Sequence, residues 1–415
     1  MDHDARYREL VERAGLVEAS VVPGCSVFKE DCLAIWAQIT GFLDRRLKEK
    51  GFTTAYFPLF IPEAEMKKQA DHYEGFRKEL MVADGLVVRP TSEMVIYPTL
   101  KRWISRGVPI KVNQFCSVVR WERLKPNLPL IRDNEFLWQE SHTVHATREE
   151  AEVMAREMLA VYKELIEGLL AIPTVAGAKP PHRLFPGAEY TLALEAIMPS
   201  VKSVQMATSH FLGQRFSRPL DLTYHGEPVW QSCHGVTTRL IGAMVMMHSD
   251  ARGLILPPRI APVQVALDGT EDYRETLGPL RTGVVDDPVL KGVPLVLSRG
   301  RGLTLTRRDT GEAVPVTEAT LPATAARLLE EIQQALWERA QARVPMHAPA
   351  EYGEFIRTAQ AHHAYQRAGW CGAVNCASAI KQDTGSSLRV TSPGTGQCIR
   401  CRAPTDQSAI FAPAY

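Results

Sequence analysis

Residues 110–122 read IKVNQFCSVVRWE, and residues 131–146 read IRDNEFLWQESHTVHA. Both runs are typical of strands, and only a short loop separates them, so they predict two adjoining antiparallel strands. Similar strand-like runs and amphipathic helices occur on either side of this pair. The pattern therefore favours an α+β fold over a doubly wound α/β fold.

Bulk composition excludes several classes of protein. A chain of 415 residues is too long for one compact core, so two or three domains are expected. The formal net charge of +1 gives no support to a general polyanion binder. No apolar run is long enough to span a membrane, and the charged start MDHDARYREL lacks a signal-peptide core. These features predict a cytoplasmic protein with no membrane partner.

Two long amphipathic helices and one interrupted strand are predicted around the opening pair. Apolar residues recur at helical spacing from Glu30 to Lys50, and Gly51 ends this helix. The next run, TTAYFPLFIP (53–62), predicts a strand broken by prolines. A second helix is expected from Arg148 to Leu170, where acidic residues suit the positive N-terminal end.

The best domain boundary is the proline-rich segment LPPRIAP at residues 256–262. Residues 1–262 are expected to form one catalytic domain. Short strands then predict a small α/β domain over residues 263–320. A linking helix is expected over residues 321–345 and a C-terminal domain over residues 346–415.

The C-terminal domain contains the most specific motif in the chain. Cys371 and Cys376 form a Cys-x4-Cys pair, and Cys398 and Cys401 form a Cys-x2-Cys pair. Two such thiolate pairs fill a tetrahedral shell without an open position, so the spacing predicts a structural Zn²⁺ site. The alternatives are four unrelated cysteines or a redox pair.

The two opening strands also carry a candidate nucleotide site. One guanidinium, from either Arg120 or Arg132, can neutralise an α-phosphate and a carboxylate. Glu122 can accept a hydrogen bond from the adenine amino group, and Phe136 can stack on the base. Alone this pattern is weak, because arginine and glutamate alternate on many solvated strands.

A second arginine motif strengthens this interpretation. The segment Gly235-Val-Thr-Thr-Arg239 leads directly into the apolar helix LIGAMVMM. The glycine permits close backbone approach, and Arg239 can cover the second face of adenine and reach the γ-phosphate. The two elements resemble motifs 2 and 3 of class II aminoacyl-tRNA synthetases. The helix and strand that end at Pro58 resemble motif 1, the dimer-forming element.

Further segments narrow the resemblance. They are RPTSE (89–93), FLWQESH (136–142), QMATSHFLGQRF (205–216) and GLILPPRIAP (253–262). Together with the cysteine domain and the aromatic last residue, Tyr415, they resemble prolyl-tRNA synthetases of the archaeal and eukaryotic type. The similarity extends from about Gly24 to the last residue.

This resemblance implies ATP, L-proline and Mg²⁺ as ligands, transfer to the acceptor end of tRNA, and a homodimer. It implies catalytic roles for Arg120 and Arg239. The amino-acid-binding residues it implies are Thr91, Glu93, Arg120, Trp138, Glu140, His142 and His210. The ATP-binding residues it implies are Arg120, Glu122, Arg132, Phe136, Gln205, Thr208, Thr237 and Arg239.

Several positions depart from the family's usual pattern. Ser141, Ala207 and Ser249 stand where glycine is usual, and each adds a β-carbon near the expected ligands. His234 replaces a tryptophan, which removes apolar surface from the expected pocket. Asp133 places a carboxylate where it is expected to repel phosphates.

The middle segment, residues 263–320, is shorter than the family's anticodon-binding α/β domain. We expect its sheet to lose covering helices and, with them, a buried face and anticodon contacts. This leaves two alternatives to a proline–tRNA ligase. One is a related ligase that transfers proline, or a similar amino acid, to a carrier protein or small molecule. The other is a regulatory paralogue without activity.

Overall fold

The structure, a computed structural model, describes residues 3–122, 128–343, 345–361 and 365–415. It divides into two compact units. The first contains residues 1–42, 164–173 and 240–343, and the second contains residues 43–163, 174–239 and 344–415. The four domain ranges expected from the sequence stay predictions.

The helices, in chain order, are α1 (His3–Arg13), α2 (Glu30–Glu49), α3 (Glu63–Met66), α4 (Ala70–Phe76), α5 (Glu93–Trp103), α6 (Arg148–Lys163), α7 (Ser217–Leu220), α8 (Arg239–His248), α9 (Leu321–Ala342), α10 (Tyr352–Gln360) and α11 (Val374–Thr384). The predicted helix over residues 30–50 is confirmed as α2, and Gly51 follows it with φ of +79°. After α6 the chain continues as a π-helical turn, Glu164–Leu169. Within the described residues, no helix is both long and apolar enough to cross a membrane.

The strands are β1 (Val17–Ala19), β2 (Ser26–Phe28), β3 (Thr53–Thr54), β4 (Phe60–Pro62), β5 (Met81–Ala83), β6 (Leu86–Val88), β7 (Ile110–Val119), β8 (Glu135–His145), β9 (Val175–Ala178), β10 (Tyr190–Ile197), β11 (Ser203–Gly213), β12 (Thr223–Tyr224), β13 (Glu227–Pro228), β14 (Trp230–Thr237), β15 (Val265–Asp268), β16 (Thr282–Gly283), β17 (Leu295–Arg299), β18 (Leu303–Arg307), β19 (Ala313–Val316), β20 (Met346–His347), β21 (Tyr365–Gly369), β22 (Ser387–Gln397) and β23 (Pro404–Ala412). The strand expected over residues 53–62 is two short strands, β3 and β4. Irregular backbone separates them because Pro58 cannot donate to a ladder.

An eleven-stranded sheet in the second unit has the order β20-β21-β23-β22-β9-β10-β11-β14-β8-β7-β3. The predicted antiparallel pair is confirmed: β7 and β8 pair from Ile110 opposite Val144 to Val119 opposite Glu135. Consecutive antiparallel strands form the centre of the sheet, and α6 packs against β8, β10, β11 and β14. This segregation of helix and antiparallel sheet is the predicted α+β arrangement.

The C-terminal strands extend this central sheet. Thr391 of β22 pairs with Ala178 of β9. The neighbouring Gly177 permits the close approach, since a Cβ there would lie 2.6 Å from the carbonyl oxygen of Thr391.

The first unit contains a five-stranded sheet with the order β16-β15-β17-β18-β19. Helix α9, which includes most of the expected linking segment, packs its apolar residues against this sheet. The shared core includes Leu267, Leu297, Leu305, Leu328, Ile332 and Leu336. The expectation that the shortened sheet loses its buried face is therefore wrong, because α9 covers one face.

Candidate active site

A cleft with about 880 Å³ of space, open solvent at its mouth included, lies on the central sheet of the second unit. Strand β8 contributes alternate residues to it, as expected when side chains two apart share one face of a strand. The structure brings most of the predicted site residues into this single cleft: Thr91, Glu93, Arg120, Phe136, Trp138, Glu140, His142, Gln205, Thr208, His210, Thr237 and Arg239.

A buried carboxylate, Glu93, lines the cleft. Its side chain is 1% exposed and accepts hydrogen bonds from the Thr91 hydroxyl at 2.6 Å and the Cys233 thiol at 3.4 Å. Burial raises the pKa of Glu93, but His142, His72 and the Thr91 hydroxyl outweigh it, so the pKa is lowered. The carboxylate is therefore charged at neutral pH and is suited to a cationic group.

Glu140 organises the wall beside Glu93. It accepts hydrogen bonds from the Ser92 hydroxyl, the Gln114 amide and Nε2 of His142, the last at 2.8 Å. Burial lowers the pKa of His142, and the contact with Glu140 raises it by more. Burial lowers the pKa of His210 to about 3, so that ring is neutral. Glu140 thus fixes the orientation of His142.

The guanidinium groups of Arg120 and Arg239 also line the cleft. Nε of Arg120 donates to the Pro90 carbonyl at 3.0 Å, and Nε of Arg239 donates to the Ile131 carbonyl at 2.9 Å. Burial, followed by repulsion from Arg120 and Arg132, lowers the pKa of Arg239 to about 10. An anion placed among these guanidinium groups relieves their repulsion, so the arrangement can bind phosphate.

Two predicted ATP-binding residues lie beside the cleft. Arg132 lines a second cavity of about 550 Å³, open solvent included, and Nε of Arg132 is 3.9 Å from the Glu122 carboxylate. Other residues that line this cavity are Arg183, Gln205, Arg239, Arg389 and Tyr415. The sequence analysis missed Arg183 and Arg389, because only the fold brings the segment after β9 and strand β22 to this place.

The four C-terminal cysteines converge as predicted. Their Sγ atoms all lie within 4.8 Å of one another, and those of Cys376 and Cys401 are each 3.7 Å from that of Cys371. Zn–S bonds of about 2.3 Å in a tetrahedron place sulfurs about 3.8 Å apart. The donor set and spacing therefore fit a closed, structural metal site.

Comparisons with known proteins agree with this geometry. A family model described as the tRNA synthetase class II core domain (G, H, P, S and T) matches residues 76–248. The proline–tRNA ligase of Acetoanaerobium sticklandii is 37% identical over 99% of this chain and 95% of its own length. The ligase of Natranaerobius thermophilus is 35% identical over 100% of this chain and 96% of its own. The chain belongs to the proline–tRNA ligase family.

A solved structure from the same family has the same fold. Prolyl-tRNA synthetase from Cryptosporidium parvum, crystallised with halofuginone and AMPPNP, matches with a TM-score of 0.90 and 30% identity. The match covers 99% of this chain and 97% of that one. The predicted class II synthetase fold is thereby confirmed, and the chain is an enzyme of the ligase class.

This proline–tRNA ligase family member lacks residues that its relatives carry. The two alignments extend over 461 and 468 positions, more than the 415 residues of this chain. The location of the shortening at residues 263–320 stays a prediction.

Two departures from the family pattern form one contact. Ser141 and His234 lie opposite each other on β8 and β14, with Oγ of Ser141 3.0 Å from Nδ1 of His234. The other ring nitrogen of His234 is 3.0 Å from Oγ of Ser232. The histidine, which lines the cleft, is therefore held by two hydroxyls.

Asp133 is turned into the loop between β7 and β8. Its side chain is 8% exposed, and its carboxylate accepts a hydrogen bond from the backbone N–H of Leu130 at 2.6 Å. This bond stabilises the loop. The structure therefore gives Asp133 a role in loop conformation that the sequence analysis did not consider.

Proposed function

We propose that the chain activates L-proline with ATP and transfers the prolyl group to the acceptor end of tRNA(Pro). The observation that carries the proposal is the presence of opposite charges in one cleft. A buried carboxylate, Glu93, lines the same cleft as the guanidinium groups of Arg120 and Arg239. This charge distribution suits the cationic nitrogen of an amino acid and the anionic groups that react at its carboxylate.

The proline site of this proposal is built around Glu93. Thr91 and Glu93 hold the imino nitrogen, and Arg120 holds the carboxylate. The side chains proposed to surround the pyrrolidine ring are Trp138, Glu140, His142 and His210, all of which line the cleft.

The ATP site of this proposal is built around Arg132 and Arg239. Phe136 and Arg239 enclose adenine, and Glu122 accepts a hydrogen bond from its amino group. Gln205, Thr208 and Thr237 contact the ribose and phosphates, while Arg132 receives the outer phosphates. Mg²⁺ bound to the phosphates supplies further charge neutralisation.

Two displacements follow from this arrangement. The proline carboxylate attacks the α-phosphorus and pyrophosphate leaves, and a ribose hydroxyl of tRNA then attacks the prolyl carbonyl and AMP leaves. The chain supplies position and charge stabilisation and needs no nucleophile of its own.

We propose that four parts of the chain have different roles. The catalytic domain comprises residues 1–262, and a reduced anticodon-type domain comprises residues 263–320. A connecting helix follows over residues 321–345, and the zinc domain comprises residues 346–415. Cys371, Cys376, Cys398 and Cys401 hold Zn²⁺ as a structural ion. Motif 1 forms a homodimer, and the protein acts in the cytoplasm.

The test compares proline-dependent pyrophosphate exchange with charging of total tRNA by the purified protein, ATP and Mg²⁺. Exchange together with charging is expected. Exchange without charging would indicate that the acceptor is a carrier protein or small molecule and not tRNA. No exchange with any amino acid would overturn the proposal and favour the regulatory paralogue.

Glu93→Gln is expected to weaken proline use specifically. The substitution keeps the size of the side chain but removes the buried charge opposite the imino nitrogen. We expect kcat/KM for proline to fall by roughly 30-fold, equivalent to about 2 kcal/mol. The measurement is the KM for proline and for ATP in the exchange assay. An equal increase in both KM values would contradict the assignment of Glu93 to the amino acid.

Cys401→Ser is expected to release the C-terminal zinc. The variant leaves three thiolates where a closed structural site needs four ligands. Metal analysis after dialysis should show about one zinc ion per chain fewer than in the wild type. Cys25→Ser removes a thiol outside this cluster and is the control. Equal zinc content in all three proteins would exclude Cys401 as a ligand.

A further inference from the structure

Three different metal-binding side chains converge in the cleft. Glu93, His142 and Cys233 each offer one ligand atom, and these atoms lie within 4.8 Å of one another. Their side chains are 1%, 1% and 4% exposed, respectively. Together they supply one oxygen, one nitrogen and one sulfur ligand and leave a fourth position open. This donor set suits Zn²⁺.

A buried histidine provides a second, independent indication of a cation here. Nδ1 of His72 is 3.1 Å from the Pro186 carbonyl, which can only accept, so Nδ1 carries the proton. The lone pair on Nε2 has no hydrogen-bond partner, although His72 is 0% exposed. This atom is 3.7 Å from Oε2 of Glu93. This buried nitrogen therefore faces the carboxylate that is proposed to bind a cation.

The surroundings also orient the nitrogen ligand. Glu140 accepts a hydrogen bond from Nε2 of His142 at 2.8 Å, and Nδ1 of the same ring lies 3.3 Å from the Tyr97 hydroxyl. A carboxylate bound to one ring nitrogen fixes a histidine whose other nitrogen binds a metal, so Nδ1 exchanges its contact with Tyr97 for the ion. Without a metal, the Cys233 thiol donates to Glu93 at 3.4 Å, and its proton leaves when the sulfur binds the ion.

We propose that Glu93, His142 and Cys233 form a second Zn²⁺ site, distinct from the C-terminal cysteine cluster, in which the ion competes with the amino-acid substrate. The competition rests on the proposed function, because Glu93 is the residue assigned there to the imino nitrogen. A zinc ion on Glu93 neutralises the charge that this nitrogen needs. Zinc at this site therefore inhibits proline activation.

The test counts zinc per chain after the metal-stripped full-length protein is titrated with Zn²⁺ and dialysed. Two ions are expected for the wild type and one for either Cys233→Ser or Cys233→Ala. Cys25→Ser, the matched loss of a thiol outside the cleft, should keep both. Saturating proline should displace one of the two ions from the wild type. Thermal melting of each variant reports whether it is folded.

Inhibition of pyrophosphate exchange gives a second readout. Zn²⁺ should raise the apparent KM for proline in the wild type, and its inhibition constant should increase at least about tenfold in Cys233→Ser. One zinc ion per chain in the wild type, or two in both folded Cys233 variants, would overturn this proposal alone. Loss of proline-dependent exchange in zinc-free, Mg²⁺-containing buffer would instead overturn the proposed function, and the zinc count would still decide whether the site exists.

Discussion

Arg120→Ala is expected to reduce proline-dependent pyrophosphate exchange by about 10³-fold or more. Nε of Arg120 is held by the Pro90 carbonyl at 3.0 Å, and the guanidinium lies 5.6 Å from the rings of Phe136 and Trp138. These contacts fix a positive charge in the cleft, where the proposed function has charge develop during adenylation. Alanine removes that charge and every donor of the side chain. The measurement is the exchange rate at saturating ATP and proline.

Two controls separate this effect from loss of packing. Arg120→Lys keeps a positive charge without the planar fork and should retain intermediate activity. Arg148→Ala removes an arginine that is likewise stacked on aromatic rings, 4.8 Å from Phe211 and 5.4 Å from Trp230, but does not line the cleft. It should remain near the wild-type rate. An unchanged rate of pyrophosphate exchange in Arg120→Ala would contradict the assignment of Arg120 to catalysis.

Glu195→Ala is expected to lower the free energy of unfolding by about 3–5 kcal/mol. The Glu195 side chain is 0% exposed and forms ion pairs with Lys179 and Arg389, the latter through Nη2 at 2.9 Å. The Ser203 hydroxyl also donates to it, at 2.6 Å. Alanine leaves two buried cations without a counter-charge. Denaturant unfolding of the full chain measures the change.

A matched variant and acid titration sharpen this test. Glu330→Ala removes an ion pair with Arg259 that is largely exposed, so it should cost at most about 1 kcal/mol. Burial raises the pKa of Glu195, but Lys179 and Arg389 outweigh it and lower it to about 2. This pKa lies below the value of about 4.3 that a glutamate has in an unfolded chain. The ion pairs of Glu195 therefore stabilise the fold above about pH 4.3, and this stabilisation is lost as the pH falls towards 2. Equal stability of both variants would contradict the buried network.

The features that the sequence predicted correctly depend on residues that are close together in the chain. The pair β7 and β8, helix α2 and the four-cysteine cluster each follow from residues close together in the chain. The cleft residues on β8 were predictable because alternate side chains of one strand share a face. Helix α9 shows the limit of such prediction. Its apolar residues predict that one side of the helix is buried, but they do not predict which element packs against that side.

Contacts between distant segments were not predictable. Glu195 and Arg389 are 194 residues apart in the chain, and no local pattern pairs one particular buried acid with one particular arginine. Ser141 and His234 were each read as a separate departure. Only the register of β8 and β14 shows that they are opposite each other. His72 escaped notice for the same reason, since its closeness to Glu93 depends on how α4 packs.

The pairing of β9 with β22 sets an order for biosynthesis. Thr391 and Ala178 meet although 213 residues separate them, so a ribosome must add that many residues before one edge of the central sheet acquires its neighbour. Until then the nascent chain presents an open strand edge, the kind of surface that recruits chaperones or pairs with other chains. Because β22 near the C-terminus pairs with β9, the central sheet is completed only late in translation.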